Sequence, residues 1–220
     1  MKILSKRSIV LFPLLLLYLW TGGMPFLGRG SDLRAFNPVV LGKQEANMWR
    51  YYYEGRRFKL FNQLAKTLRV QFHAPYLKSY SLAMRASRAA LIFQKGQNRK
   101  DYAKALPHLE KYYAGIKKVS GRSFEVESIA KRELEWWTIR REREKHPPAD
   151  WVTEIAAIAA EVYAISQQST KPHAEKRVEA MLMRDAKGDS VTEEDWEAIE
   201  EILIESWTAL FDAVHVERGR

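Results

Sequence analysis

No cysteine occurs anywhere in the chain. That absence removes disulfides, thiol chemistry, thiolate zinc sites and lipidation at a lipobox cysteine, so the fold is held by its core alone. Short catalytic signatures are missing too. There is no Gly-rich phosphate loop, no Gly-x-Ser-x-Gly elbow and no His-Glu-x-x-His pair. Di-iron carboxylate bundles need Glu-x-x-His pairs on facing helices, and none is present. The five histidines (His73, His108, His146, His173, His215) are scattered, mostly near predicted helix ends or loops. "DAKGDSVTEEDW" (185–196) has the acids of a calcium loop but not its order. Lys187 falls at the third position, Ser190 where glycine belongs and Trp196 where the closing glutamate belongs. It reads as a loop followed by a helix cap. No metal and no cofactor is expected, a metal held by carboxylates alone being the one variant left open.

Strand signals are equally scarce. No run of β-branched residues alternates over strand length, so the periodicity predicts an all-α chain. No short repeat supports a solenoid. With 46% hydrophobic and 29% charged residues the composition is that of a globular protein rather than a disordered one.

The amino terminus is the strongest addressed feature. "MKILSKRS" supplies Lys2, Lys6 and Arg7, and "IVLFPLLLLYLW" (9–20) follows without a charge. That is the pattern of a signal peptide or signal anchor. The uncharged stretch runs on to Gly28, about the length that spans a hydrocarbon core, and no Ala-x-Ala triplet marks a cleavage site. Residues 1–28 are therefore expected to remain as an anchor, with a secreted form if they are cleaved. The three leading cations favour a cytoplasmic amino terminus and a domain outside the cytoplasm. Residues 29–37 read as a juxtamembrane linker and 38–217 as the helical domain.

Charge divides that domain into a basic half (38–122) and an acidic half (123–217). Residues 29–122 carry 20 basic and 5 acidic side chains, whereas 123–220 carry 13 and 22. Such asymmetry points to an anionic partner for the first half or to docking between the halves. Outside the cytoplasm a nucleic-acid partner is disfavoured. A protein partner in the membrane or envelope is expected, with the acidic carboxy-terminal helix as a docking surface and anionic lipid or wall polymer as the alternative for the basic half.

Six or seven helices in an irregular bundle are expected. The first runs from Pro38 or Gly42 to Phe72 and the second over Pro75–Phe93. The third covers Arg99–Val119, kinked or divided by Pro107, and the fourth is capped by Ser123 and ends before "HPP". Pro148 opens the fifth, 166–172 forms a loop, and Pro172 opens a short sixth. Thr192 and Asp195 form a capping box for the last, in which Trp196, Ile199, Leu203, Trp207, Leu210 and Val214 make an apolar stripe.

One constellation could carry chemistry. Glu45, Trp49, Tyr52 and Arg56 lie within about 60° on one helix face. Glu133, Trp137, Arg140 and Glu144 repeat the same spacing. Facing each other, with Arg85 and Arg88 opposite, these residues would form a polar interior. Two readings compete: a ligand or metal site between helices, or a structural network of carboxylates neutralised by arginines. The second is favoured because arginines are abundant enough to supply partners. With no motif for catalysis, the chain is expected to be a membrane-anchored binding or scaffold domain rather than an enzyme.

Overall fold

The computed structural model describes residues 32–216, which form eight helices and no strand. The expected amino-terminal anchor lies outside the described residues, and none of the described helices is long and apolar enough to cross a membrane. Helix α1 is Pro38–Tyr53, capped by the Asn37 carboxamide on the Val40 N–H at 3.1 Å, with Pro38 in its first turn. The single long first helix expected from sequence is broken at Gly55, whose φ of 69° is open to glycine at little cost. Helix α2 (Arg57–Phe72) follows and ends on His73 in the left-handed region. Helix α3 (Tyr76–Lys95) starts behind Pro75 and stops at Gly96.

A single turn capped by Asn98 (Arg99–Tyr102) and a 3-10 turn (Ala103–Ala105) lead into α4, Leu106–Ser120. Pro107 divides this segment rather than kinking it, because it falls in the first turn of α4, where a missing N–H costs nothing. Helix α5 is Val126–Arg141; Glu125, not Ser123, occupies its cap position and makes no side-chain cap bond. Helix α6 is Pro148–Tyr163. The expected loop at 166–172 is instead the start of α7 (Gln167–Lys187), because Ser166 caps the Ser169 N–H at 3.1 Å. Pro172 sits inside α7 near its start and removes one ladder bond without ending the helix. The last helix, α8, is Glu193–Val216. Its capping box forms: Thr192 N–H donates to the Asp195 carboxylate at 3.0 Å, and Asp195 N–H to the Thr192 hydroxyl at 3.2 Å.

Each helix packs on its neighbours in sequence, and α8 returns to pack along α1, so the order of packing closes on itself. The closing contact is tight. A Cβ on Gly42 of α1 would lie 2.6 Å from the Ile204 Cα of α8, so glycine lets the two backbones meet. All six stripe residues of α8 are buried. Each of Ile199, Leu203, Leu210 and Val214, at most 1% exposed, contributes on the order of 2 kcal/mol by leaving water. Leu33 and Phe36, in the segment read as a linker, are core residues. Phe36 meets Tyr163, Trp207 and Phe211 edge-on at 5.6–5.8 Å between centroids. Trp49 packs between two smaller clusters, one centred on Trp151 and Ile155 and the other on Ile199 and Leu203.

Candidate functional site: a polar centre between five helices

Ring closure brings together side chains far apart in sequence. Glu45 of α1 is only 2% exposed. One of its carboxylate oxygens accepts from Arg177 Nε of α7 at 2.7 Å, the other from the Trp207 indole N–H of α8 at 2.8 Å. Glu133 of α5 accepts from the Tyr113 hydroxyl of α4 at 3.0 Å and from the Trp137 indole N–H, one turn along its own helix, at 2.9 Å. Every carboxylate oxygen of the pair thus has a donor. The Arg177 guanidinium lies 5.7 Å from the Trp136 ring centroid and interacts with both carboxylates. Two potential anions face one cation.

The electrostatics follow from that ratio. Burial pushes Glu133 above the ordinary carboxylate value, and Arg177's charge with the Tyr113 and Trp137 hydrogen bonds opposes the rise. Burial works against the Arg177 cation, but Glu45 and Glu133 prevail and hold it above its usual value. Tyr113 is driven well up, first by burial and then by the Glu133 charge, so its proton stays on the phenol and is donated to Glu133. The Trp136 indole N–H is buried with no acceptor at hydrogen-bonding distance, though close enough to Glu133 to favour its charged form.

A Ser–His pair borders this centre. His173 Nδ1 lies 2.8 Å from the Ser206 hydroxyl and 3.0 Å from the Ser206 carbonyl oxygen, so a protonated Nδ1 would donate between the two. The Ser206 hydroxyl donates to the His173 carbonyl at 2.8 Å. In the tautomer with Nδ1 protonated, the hydroxyl proton is held by backbone and the imidazole is no base toward the serine; the other tautomer accepts from that hydroxyl. Burial lowers His173 to about 4, with Arg177's charge adding to the effect.

The sequence-predicted residues divide clearly. Glu45, Glu133 and Trp137 belong to the centre, and Trp49 packs beside it. Tyr52 and Arg56 are exposed, Arg56 pairing with Glu54 at 2.7 Å. Arg140 bridges instead to Asp185 at 3.0 Å and stacks near Trp151. Arg85 donates to the Lys111 carbonyl at 2.6 Å, and Arg88 and Glu144 are exposed. Arg177, Tyr113 and Trp207, which complete the centre, were not in the predicted set. Trp207 lies on the apolar stripe of α8 that is legible in the sequence, and the other two also leave a signal. Tyr113 falls on the Leu109–Ile116 apolar face of α4, and Arg177 interrupts the apolar stripe Ala174–Val178–Met181 of α7.

No group of three or more metal-ligating side chains occurs among the described residues. A cleft of about 240 Å³ lies between Arg99, Tyr102, Lys131, Leu134, Glu135 and Thr138, and none of these residues belongs to the centre. Fold and site together define an all-α bundle closed around a polar centre whose four carboxylate oxygens all have donors. No protein-family model, curated protein or solved structure matches the chain.

Proposed function

We propose that the chain is a membrane-tethered helical domain outside the cytoplasm, which binds or scaffolds a protein component of a membrane or envelope complex without catalysis of its own. The observation that carries this reading is the outer face of α8. Glu194, Glu197, Glu201, Glu205 and Asp212 are all exposed and fall within about 80° of one another along the helix. The helix holds no lysine or arginine. Glu205 is bridged to Lys176 of α7 at 2.8 Å, and the other four leave a net acidic rail that would steer and align a basic protein surface. The charged amino terminus and the apolar segment behind it support the tether. A ligand or metal at Glu45 and Glu133 has less support, since it would have to displace Arg177, Trp207, Tyr113 and Trp137 from the four carboxylate oxygens.

The absence of cysteine makes the test clean. A Glu201→Cys variant should stay with membranes through carbonate extraction and react with an impermeant maleimide on intact cells. Release by carbonate, or labelling only after permeabilisation, refutes the tethered topology. Crosslinking from solubilised membranes should enrich one protein, and Glu194→Lys/Glu197→Lys/Asp212→Lys should lose it. Recovery of bulk membrane proteins alone, equal for both chains, refutes the scaffold.

A further inference from the structure

The opposite charge is concentrated in α2, α3 and their flanks. Between Gly55 and Lys100 the chain holds eleven lysines and arginines and no aspartate or glutamate. Among the described residues no carboxylate makes an ion pair with Arg57, Lys59, Lys66, Lys78, Arg88 or Lys95. Helix α3 packs against α2, α4 and the turns over 99–105, and one stripe of its surface stays exposed. That face is not simply polar. Leu77, Ser81, Met84, Arg88, Leu91 and Lys95 are all exposed, with Leu77 at 66%, Met84 at 46% and Leu91 at 45%. At 100° per residue they lie within about 80° of one another, along roughly 27 Å of helix. Aliphatic side chains interleaved with cations, and no anion, form the pattern of a helix that lies in a lipid interface.

We infer that the outer face of α3 (Leu77, Met84, Arg88, Leu91, Lys95) lies on an anionic lipid bilayer. Charge complementarity selects this occupant. The cations are of one sign across two helices, matching a diffuse anionic plane better than the alternating charges of a protein surface. Leucine and methionine tips reach the acyl boundary while the arginine and lysine heads stay among the phosphates. The acidic rail of α8 is repelled by the same plane, so the domain's own charge division orients it, with α8 turned toward protein partners. The inference rests on the tethered reading only for what brings the domain to a membrane.

The full chain, carrying Leu91→Cys labelled with a polarity-sensitive fluorophore, is mixed with vesicles of phosphatidylcholine alone or with added phosphatidylglycerol. Incorporation, read by flotation, is scored separately from emission, so a failed tether is distinguishable from a failed face. Emission should shift to the blue on phosphatidylglycerol vesicles only. The shift should vanish between about 0.05 M and about 0.5 M salt. The same probe at Glu201→Cys should not respond. Arg88→Glu/Lys95→Glu should weaken the response to anionic lipid at least about tenfold with the helical circular dichroism unchanged. An unshifted probe on a chain that floats overturns the inference. So does a shift that needs no anionic lipid and grows with protein concentration, which would assign the face to a second copy of the chain.

Discussion

Removing Arg177 is the most direct perturbation of the polar centre. Arg177→Met keeps most of the side-chain volume but deletes the guanidinium charge that Glu45 and Glu133 share. Glu45, 2% exposed, then keeps only the Trp207 bond, and Glu133 loses the charge that opposes its desolvation. Leaving a buried charge uncompensated costs about 3–5 kcal/mol. For a domain of this size that lowers the melting temperature by roughly 10 °C. The loss also acquires a pH dependence. Glu133's folded value already lies above the ordinary one and rises further without Arg177. A raised carboxyl favours the fold while it is protonated and destabilises it as pH rises through the folded value, so the variant should gain stability on acidification. Adding Glu45→Gln, which removes one anion and still accepts the indole N–H, should recover at least about 2 kcal/mol. Thermal and urea unfolding followed by circular dichroism measure all of these terms. A loss under about 1 kcal/mol for Arg177→Met, or no recovery with Glu45→Gln, would show that Arg177 does not hold the centre together.

Two further perturbations probe the surroundings of the centre. His173, lowered from the ordinary 6.5 to about 4, must be neutral to stay buried, so stability is full above pH 6.5 and is lost as pH falls toward 4. The difference amounts to roughly 3 kcal/mol. His173→Gln should flatten that part of the profile of urea midpoint against pH, and an unchanged slope refutes the assignment. Gly42→Ala should destabilise by at least about 1–3 kcal/mol although alanine is the better helix former. Its Cβ would meet the Ile204 backbone at 2.6 Å. A variant that melts at or above the wild type would mean that the α1–α8 contact is looser than described.

How legible the molecule is from its sequence depends on how local each signal is. The capping box at Thr192 and the α8 stripe are properties of one segment, and the periodicity locates six of its seven buried residues, all but Ser206. The break at Gly55 and the Ser166 cap are also local, but each competes with a stronger cue. A continuous helical pattern hides the first, and Pro172, read as a breaker, hides the second. Glu45 stands out because a carboxylate on an apolar face needs a partner. Which partner it finds is not a local property. Arg56 and Arg140 share a stripe with the two glutamates, yet each pairs with an acid elsewhere. Arg177 lies 132 residues from Glu45, on a helix that reaches α1 only through the closure of the ring.

The repeated Glu–Trp spacing shows why periodicity stops short of a site. In α5 the spacing is used within the helix, since Trp137 donates to Glu133 one turn away. In α1 it is not: Glu45 takes its indole from Trp207 of α8, while Trp49 packs between two hydrophobic clusters. Identical local geometry therefore serves two purposes, and only the closing helix decides between them. Glu45 reads directly on that closure. Its two donors come from α7 and α8, the last two of the described helices, so a ring that failed to close would leave this carboxylate without those partners. An apolar residue at position 45 would tolerate a loose or shifted return of α8. A carboxylate does not, because its burial is sustained only when Arg177 and Trp207 both arrive in register. On this argument the polar centre would favour the closed ring over near misses that bury similar apolar area.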